Sequence, residues 1–201
     1  MTPFQLSEEL LEQVISDIAS ENDKALQTLF KEYHYADLAE IFDNLQIEQA
    51  VYLFKLIDSE KTADMLTELD EDVRESILDA LSSEEIATEI NELDTDDAVD
   101  IVAELPMEIR KEVIDQILDT EHADDIRELL TYDENSAGGL MAKELVCVNQ
   151  NWTVTRCVRE MRVQAQEVTR VHSIYVVNDE NVLLGRLSLK DLLTANEKSK
   201  I

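Results

Sequence analysis

Between residues 37 and 118 the apolar residues return every twelve positions, and few folds satisfy that pattern. Leu45, Ile57, Leu69, Leu81, Leu93, Leu105 and Ile117 fall twelve apart. Three residues before each stand Phe42, Phe54, Leu66, Leu78, Ile90, Val102 and Ile114. One position earlier come Ile41, Leu53, Met65, Ile77, Glu89, Ile101 and Val113, a column that only Glu89 interrupts. Spacing of i, i+1, i+4 marks one face of a helix. Each unit therefore predicts a helix of about nine residues and a turn of about three. Such a helix is only about 14 Å long, too short to persist alone in water. Stability must come from stacking neighbours, so the units are expected to form a compact superhelix. Segments such as Asp70-Glu71-Asp72, Ser82-Ser83 and Asp94-Thr95-Asp96 supply N-cap residues for the helices. Asp94 and Asp97 have the spacing of a capping-box-like pair. Ser7 to about Ile18 reads as a longer amphipathic helix, with Phe4, Leu10, Leu11, Val14 and Ile18 available to dock it.

The charge distribution divides the chain. Residues 1–130 hold 8 Lys+Arg and 37 Asp+Glu, and residues 131–201 hold 9 of each, so the net charge of −29 lies wholly in the first part. The break predicts two domains: 1–130 acidic and helical, a junction at 131–142, and a second domain at 143–201. Phosphate would be repelled by the first part, which excludes a nucleic-acid role for it and disfavours an anionic membrane surface. Its natural partners are cations or a basic protein; the plain alternative is a solubilising surface. Gly (3) and Pro (2) are too few for a fibrous or loop-rich chain, and two Cys make no disulfide scaffold. Cys147 and Cys157 stand outside any ligand pattern, so a reduced, cytosolic setting is expected. No apolar run approaches the roughly 18 residues of a membrane span, and the start of the chain lacks a secretory signal pattern.

Many carboxylates sit at helix starts, where the helix dipole favours them by roughly 0.3–1 kcal/mol each. That placement explains Asp96, Asp97 and Asp100 less easily: at i, i+4, Asp96 and Asp100 share a helix face and repel each other. A face that keeps this repulsion is suited to a hard cation with oxygen ligands, and two carboxylates alone would leave that ion partly hydrated.

From residue 143 onward the pattern changes. Leu145–Val148 is a short apolar run, Thr153–Gln164 is helical, and Ser173–Val177 and Val182–Leu187 are strands around a turn at Asn178–Asn181. Leu189–Asn196 closes with a helix. The order β-α-β-β-α gives a small α+β unit of about 60 residues, a size that favours association with a second unit of its kind. Ser188-Leu189-Lys190-Asp191 sits where the last strand enters the last helix. It reads either as a helix cap or as a nucleotide site, Asp191 accepting from a ribose and Ser188 facing phosphate.

The stretch Tyr132-Asp133-Glu134-Asn135-Ser136-Ala137-Gly138-Gly139-Leu140-Met141 resembles the segment that joins the acidic helical N domain of MgtE-type magnesium transporters to their first CBS domain. The twelve-residue repeat before it looks like that N domain, and the β-α-β-β-α order after it looks like a CBS motif. The resemblance implies a fold: a mainly α superhelical repeat domain followed by a small α+β CBS-type domain. It implies a cytosolic fragment that regulates a magnesium transporter or channel and lies on the cytoplasmic side of the membrane. Magnesium would bridge the acidic domain to the CBS domains and close the pore. Asp64, Asp96 and Asp100, with the Gly139 carbonyl, take the family's metal positions; Ser188, Lys190 and Asp191 take those of an ATP site. The implied partners are a second copy, through the CBS domains, together with a second CBS motif and a membrane pore domain.

Two other readings stand beside this one. One is an acidic helical interaction or adaptor module with a nucleotide-binding CBS domain and no transport role. The other is an enzyme, against which the residues speak: His34, His122 and His172 are isolated, and there is neither a Gly-rich phosphate loop nor an H-E-x-x-H motif.

Overall fold

The computed structural model describes residues 4–166, 168, 171 and 173–201; His172 lies outside them. The chain divides into two compact units, Met1–Gly139 and Leu140–Ile201. The first is helical: α1 (Glu8–Ala19), α2 (Asp23–Phe30), α3 (Tyr35–Phe42), α4 (Ile47–Phe54), α5 (Ser59–Glu68), α6 (Glu71–Asp79), α7 (Ser83–Ile90), α8 (Thr95–Glu104), α9 (Met107–Gln116) and α10 (Thr120–Leu129). From α3 to α9 every helix begins twelve residues after the one before it. The predicted period is therefore the period of the fold.

Stacking runs chiefly between alternate helices. α3 rests on α5, α5 on α7 and α7 on α9, while α4 rests on α6 and α8 on α10. Short turns reverse the chain after each helix, so the apolar stripe of one helix meets that of the next but one. Ile41, Phe42, Leu53, Met65, Leu66, Ile77, Ile90 and Val102 are fully enclosed as a result. Glu89 is enclosed with them, and the buried Thr62 hydroxyl donates to its Oε2 at 2.7 Å. Val14 anchors α1, which packs on α2 and α4, and the Phe4 ring meets the Tyr33 ring edge-on at 5.4 Å.

Helix ends are satisfied in two ways. At the start of α7, Ser82 Oγ accepts from the Glu85 N–H at 3.2 Å and the Ser82 N–H donates to Glu85 Oε2 at 2.7 Å, a reciprocal cap. A hydrogen bond from Lys55 and the Ser82 N–H lower the Glu85 carboxyl to about 2. Asp94 occupies the N-cap of α8 without a side-chain cap hydrogen bond. The last turns of α2, α5 and α8 carry no basic residue of their own. Cations from other helices serve their carbonyls instead. Lys61 donates to Phe30, Lys31 and Tyr33, Arg74 to Leu66 and Leu69, and Arg110 to Ala103 and Leu105. Arg74 and Arg110 hold the same place in helices three repeats apart.

The second unit runs β1 (Val146–Asn149), α11 (Val154–Gln164), β2 (Ile174–Val177), β3 (Leu183–Leu187) and α12 (Leu189–Thr194). β2 lies centrally, parallel to β1 and antiparallel to β3. The β-α-β-β-α order and the hairpin are those expected from the sequence. Asn178 Oδ1 accepts from the Glu180 and Val182 N–H groups, and Asn181 takes φ 60°, which together close the hairpin turn. Val146, Val148, Val154, Cys157, Ile174, Val176 and Leu192 form the core. The segment after α12 folds back on the start of α11: the Val154 and Thr155 N–H groups donate to the Ser199 and Glu197 carbonyls at 3.0 and 3.2 Å. Two otherwise orphaned N–H groups of α11 are thereby satisfied.

Candidate functional site

The acidic residues converge on one side of α8. An open cavity of about 510 Å³ in the first unit is lined by Asp97, Asp100 and Glu104 of α8, with Thr67, Arg74, Arg110, Tyr132, Glu134 and Gly139 around them. Positions 97, 100 and 104 follow i, i+3, i+7 spacing, which puts them on one helix face. Asp100 and Gly139, both expected at a metal site, share this cavity. Asp96 and Asp64 are not among its lining residues, but both act on it electrically. Asp97 is pushed up to about 6, first by desolvation and then by Asp96, Asp94, Asp100 and Asp64, although the residue itself is exposed. Asp100 is raised by desolvation, Asp96, Glu134 and Glu104, against which Arg74 acts. Desolvation leads in both shifts, and the like charges around each carboxyl add to it.

The sequence pattern singled out Asp96 and Asp100, with Asp97 beside them; the structure adds Glu104 and Glu134 to the wall and Arg74 and Arg110 as cations within it. Spacing along α8 offered a signal for Asp97 and Glu104. None existed for Glu134, which reaches the cavity through the junction loop. There the Ser136 N–H donates to the Asp133 carbonyl at 2.9 Å, and the Gly139 N–H donates to Ser136 Oγ at 3.1 Å. Close approach demands both glycines. A Cβ on Gly139 would run into the Asp133 carbonyl oxygen and lie 2.9 Å from Glu134 Cα, and one on Gly138 would lie 2.6 Å from the Tyr132 ring.

Among the described residues, no three carboxylate, imidazole or thiol groups converge closely enough to hold a metal by themselves. Oxygen donors, open access and partial hydration are the conditions under which magnesium rather than a tightly caged ion is bound.

In the second unit, Ser188 is the N-cap of α12. Its Oγ accepts from the Asp191 N–H at 3.1 Å and its hydroxyl donates to Asp191 Oδ2 at 2.6 Å. The cap reading of Ser188-Leu189-Lys190-Asp191 is thus realised, and Lys190 is exposed. No described helix is long and apolar enough to cross a membrane.

Among the described residues, ten short helices carrying a large excess of acid and a carboxylate-lined cavity, followed by a β-α-β-β-α unit, define a class: an acidic helical-repeat domain joined to a CBS-type domain. Comparison with known families agrees. Residues 33–135, just over half of the chain, match the MgtE intracellular N domain, and residues 137–198 match the CBS domain. The chain belongs to the MgtE family. The magnesium transporter MgtE of Thermus thermophilus is 39% identical over 70 residues, 35% of this chain and 16% of that protein. MgtE of Enterococcus faecalis is 33% identical over 72 residues, 36% of this chain and again 16% of that protein. The matched stretches thus span only about a sixth of these relatives. Among solved structures, the cytosolic domain of the Mg²⁺ channel MgtE in complex with ATP superposes with TM-score 0.85 at 28% identity, covering 95% of this chain and 78% of that one. The soluble part of a magnesium transporter gives 0.80 at 26%, covering 96% and 76%.

Proposed function

We propose that this chain is the magnesium-sensing, gating region on the cytoplasmic side of a magnesium transporter or channel. The observation that carries the reading is the crowding of Asp97 and Asp100 by Asp96, Asp64, Glu104 and Glu134 beside an open cavity. Divalent cations relieve such repulsion more effectively than monovalent ones. Asp64, Asp96 and Asp100 with the Gly139 carbonyl hold partly hydrated magnesium. Its remaining ligands come from CBS residues outside this chain, and the bridge favours the closed pore. When magnesium is scarce, the carboxylates repel and the bridge opens. The role is one of binding and regulation, without catalysis.

Driving a gate from 1:99 to 99:1 takes about 5.5 kcal/mol of differential binding. One site at ten times its dissociation constant supplies about 1.4 kcal/mol. About four weak sites therefore suffice, and weak sites suit an ion that is abundant in cells.

The CBS unit pairs with a second CBS motif and, through the resulting module, with a second copy of the chain. An uncovered apolar strip supports this: Val182, Leu183, Leu184 and Leu193 are each more than half exposed. ATP is the candidate nucleotide for Ser188, Lys190 and Asp191, supported by the ATP present in the related cytosolic structure.

The test is a flux assay on a full-length transporter carrying this region. Replacing Asp96 and Asp100 together by Ala is expected to leave magnesium flux clearly less inhibited by internal magnesium. Unchanged inhibition would remove both residues from the sensor.

A further inference from the structure

In the column that other repeats fill with residues such as Ile77 and Ile101, α7 carries Glu89. The residue is only 8% exposed. Its Oε2 receives the Thr62 hydroxyl of α5 at 2.7 Å, while the same hydroxyl lies 3.2 Å from both the Asp58 and Ser59 carbonyls. A hydroxyl has one proton to give. When Glu89 is ionised, Thr62 must turn that proton toward the carboxylate and away from its own helix. When Glu89 is protonated, it donates to Thr62 Oγ, and Thr62 is free to donate to the α5 backbone.

The charges acting on Glu89 are both acids: Glu92 beyond the end of α7 and Asp58 at the cap of α5. The neighbouring cations are engaged elsewhere. Lys61 serves the end of α2, Lys55 pairs with Glu85, and Arg110 serves the end of α8. On α9, Glu112 accepts from Ser83 and Asp115 pairs with Arg127, while Glu108 and Lys111 lie at exposed positions. On α5 itself, Glu60 and Glu68 are exposed and Asp64 bears on Asp97; on α7, Glu84 is exposed. His122 of α10 meets the Ile90 carbonyl at 3.1 Å.

We propose that Glu89 is a proton-operated latch between α5 and α7: protonated, it closes a hydrogen-bond chain from α7 through Thr62 to the α5 backbone; ionised, it loosens that joint. Desolvation pushes the Glu89 carboxyl up to about 7 from 4.5, with Glu92 and Asp58 adding and the Thr62 bond opposing. A folded-state value above the unfolded one means that the latch is fully engaged below about pH 4.5 and released as pH rises through about 7. Because α5 also packs on α8, the latch gives protons a grip on the helix beside the acidic wall. It does not depend on the magnesium reading.

The test uses the whole chain in magnesium-free buffer with chelator. Urea unfolding and amide hydrogen exchange, corrected for intrinsic rates, are followed from about pH 5.5 to about pH 8 in the wild type and in Glu89→Gln, which keeps the shape but cannot ionise. Opening of α5 and α7 amides is expected to rise about thirtyfold more in the wild type than in the variant over that range, since each pH unit between the folded and unfolded midpoints is worth about tenfold in the opening equilibrium. Equal pH dependence in the two proteins overturns the latch. Should the variant not fold, an NMR titration of the Glu89 carboxyl in the wild type decides. A midpoint above about 6 supports the proposal, and one at or below it overturns the proposal.

Discussion

Truncating Phe42 to Ala is expected to lower the unfolding free energy of the helical unit by about 3–5 kcal/mol. Phe42 is fully enclosed, at the end of α3 where that helix meets α5. The loss combines the transfer of a ring from water with the cavity it leaves, which a short helix held only by its neighbours cannot close completely. A single domain is typically stable by only about 5–15 kcal/mol, so one such change removes a large share. Because each helix touches few others, the damage should concentrate around α3 and α5 before global unfolding. Urea denaturation followed by far-UV circular dichroism measures the effect. A loss below about 1 kcal/mol would mean that the twelve-residue apolar face does not hold the unit together.

Arg74→Ala is expected to cost about 2–4 kcal/mol, somewhat less than the removal of one partner from a fully buried pair. Its guanidinium donates through Nε and one terminal nitrogen to both Glu104 oxygens, at 2.9 and 2.6 Å. The other terminal nitrogen reaches the Leu66 and Leu69 carbonyls at 3.2 and 3.0 Å. The Arg74 side chain is 15% exposed, so water replaces these bonds poorly. Removal therefore unpairs Glu104, uncovers the end of α5 and takes away a cation that lowers Asp100. Lysine has no planar fork and restores only part of the loss. The same urea assay measures both variants. An alanine variant within about 0.5 kcal/mol of wild type, or lysine equal to arginine, would contradict this account.

The repeat was legible almost to the residue because each helix must bury the same face, and burial leaves a periodic trace. The order of the second unit was legible too, since alternating apolar runs and turn residues are local signals. Alternate-helix stacking was not, because it is decided by contacts between distant residues that leave no spacing pattern. Arg74 shows the difficulty: its four acceptors lie on α5, on the turn after it and on α8, and its position within α6 resembles that of any surface arginine. For the candidate site, α8 itself was legible as an acidic helix, and Asp96 with Asp100 marked it. Spacing along α8 brought Asp97 and Glu104 within the same reading, whereas Glu134 was fixed by the fold of the junction loop. Glu89 was visible as a break in a column, while its hydrogen-bond partner Thr62, two helices back, was not.

If crowded carboxylates on α8 store repulsion that divalent cations release, unfolding free energy must rise with magnesium concentration while sodium holds the ionic strength constant. The account predicts a gain with magnesium of about 1.4 kcal/mol at ten times the dissociation constant for each site filled, reduced when Asp96 and Asp100 are both Ala. Equal stabilisation by the two salts, which is simple screening, or an undiminished magnesium gain in the double variant, would contradict it.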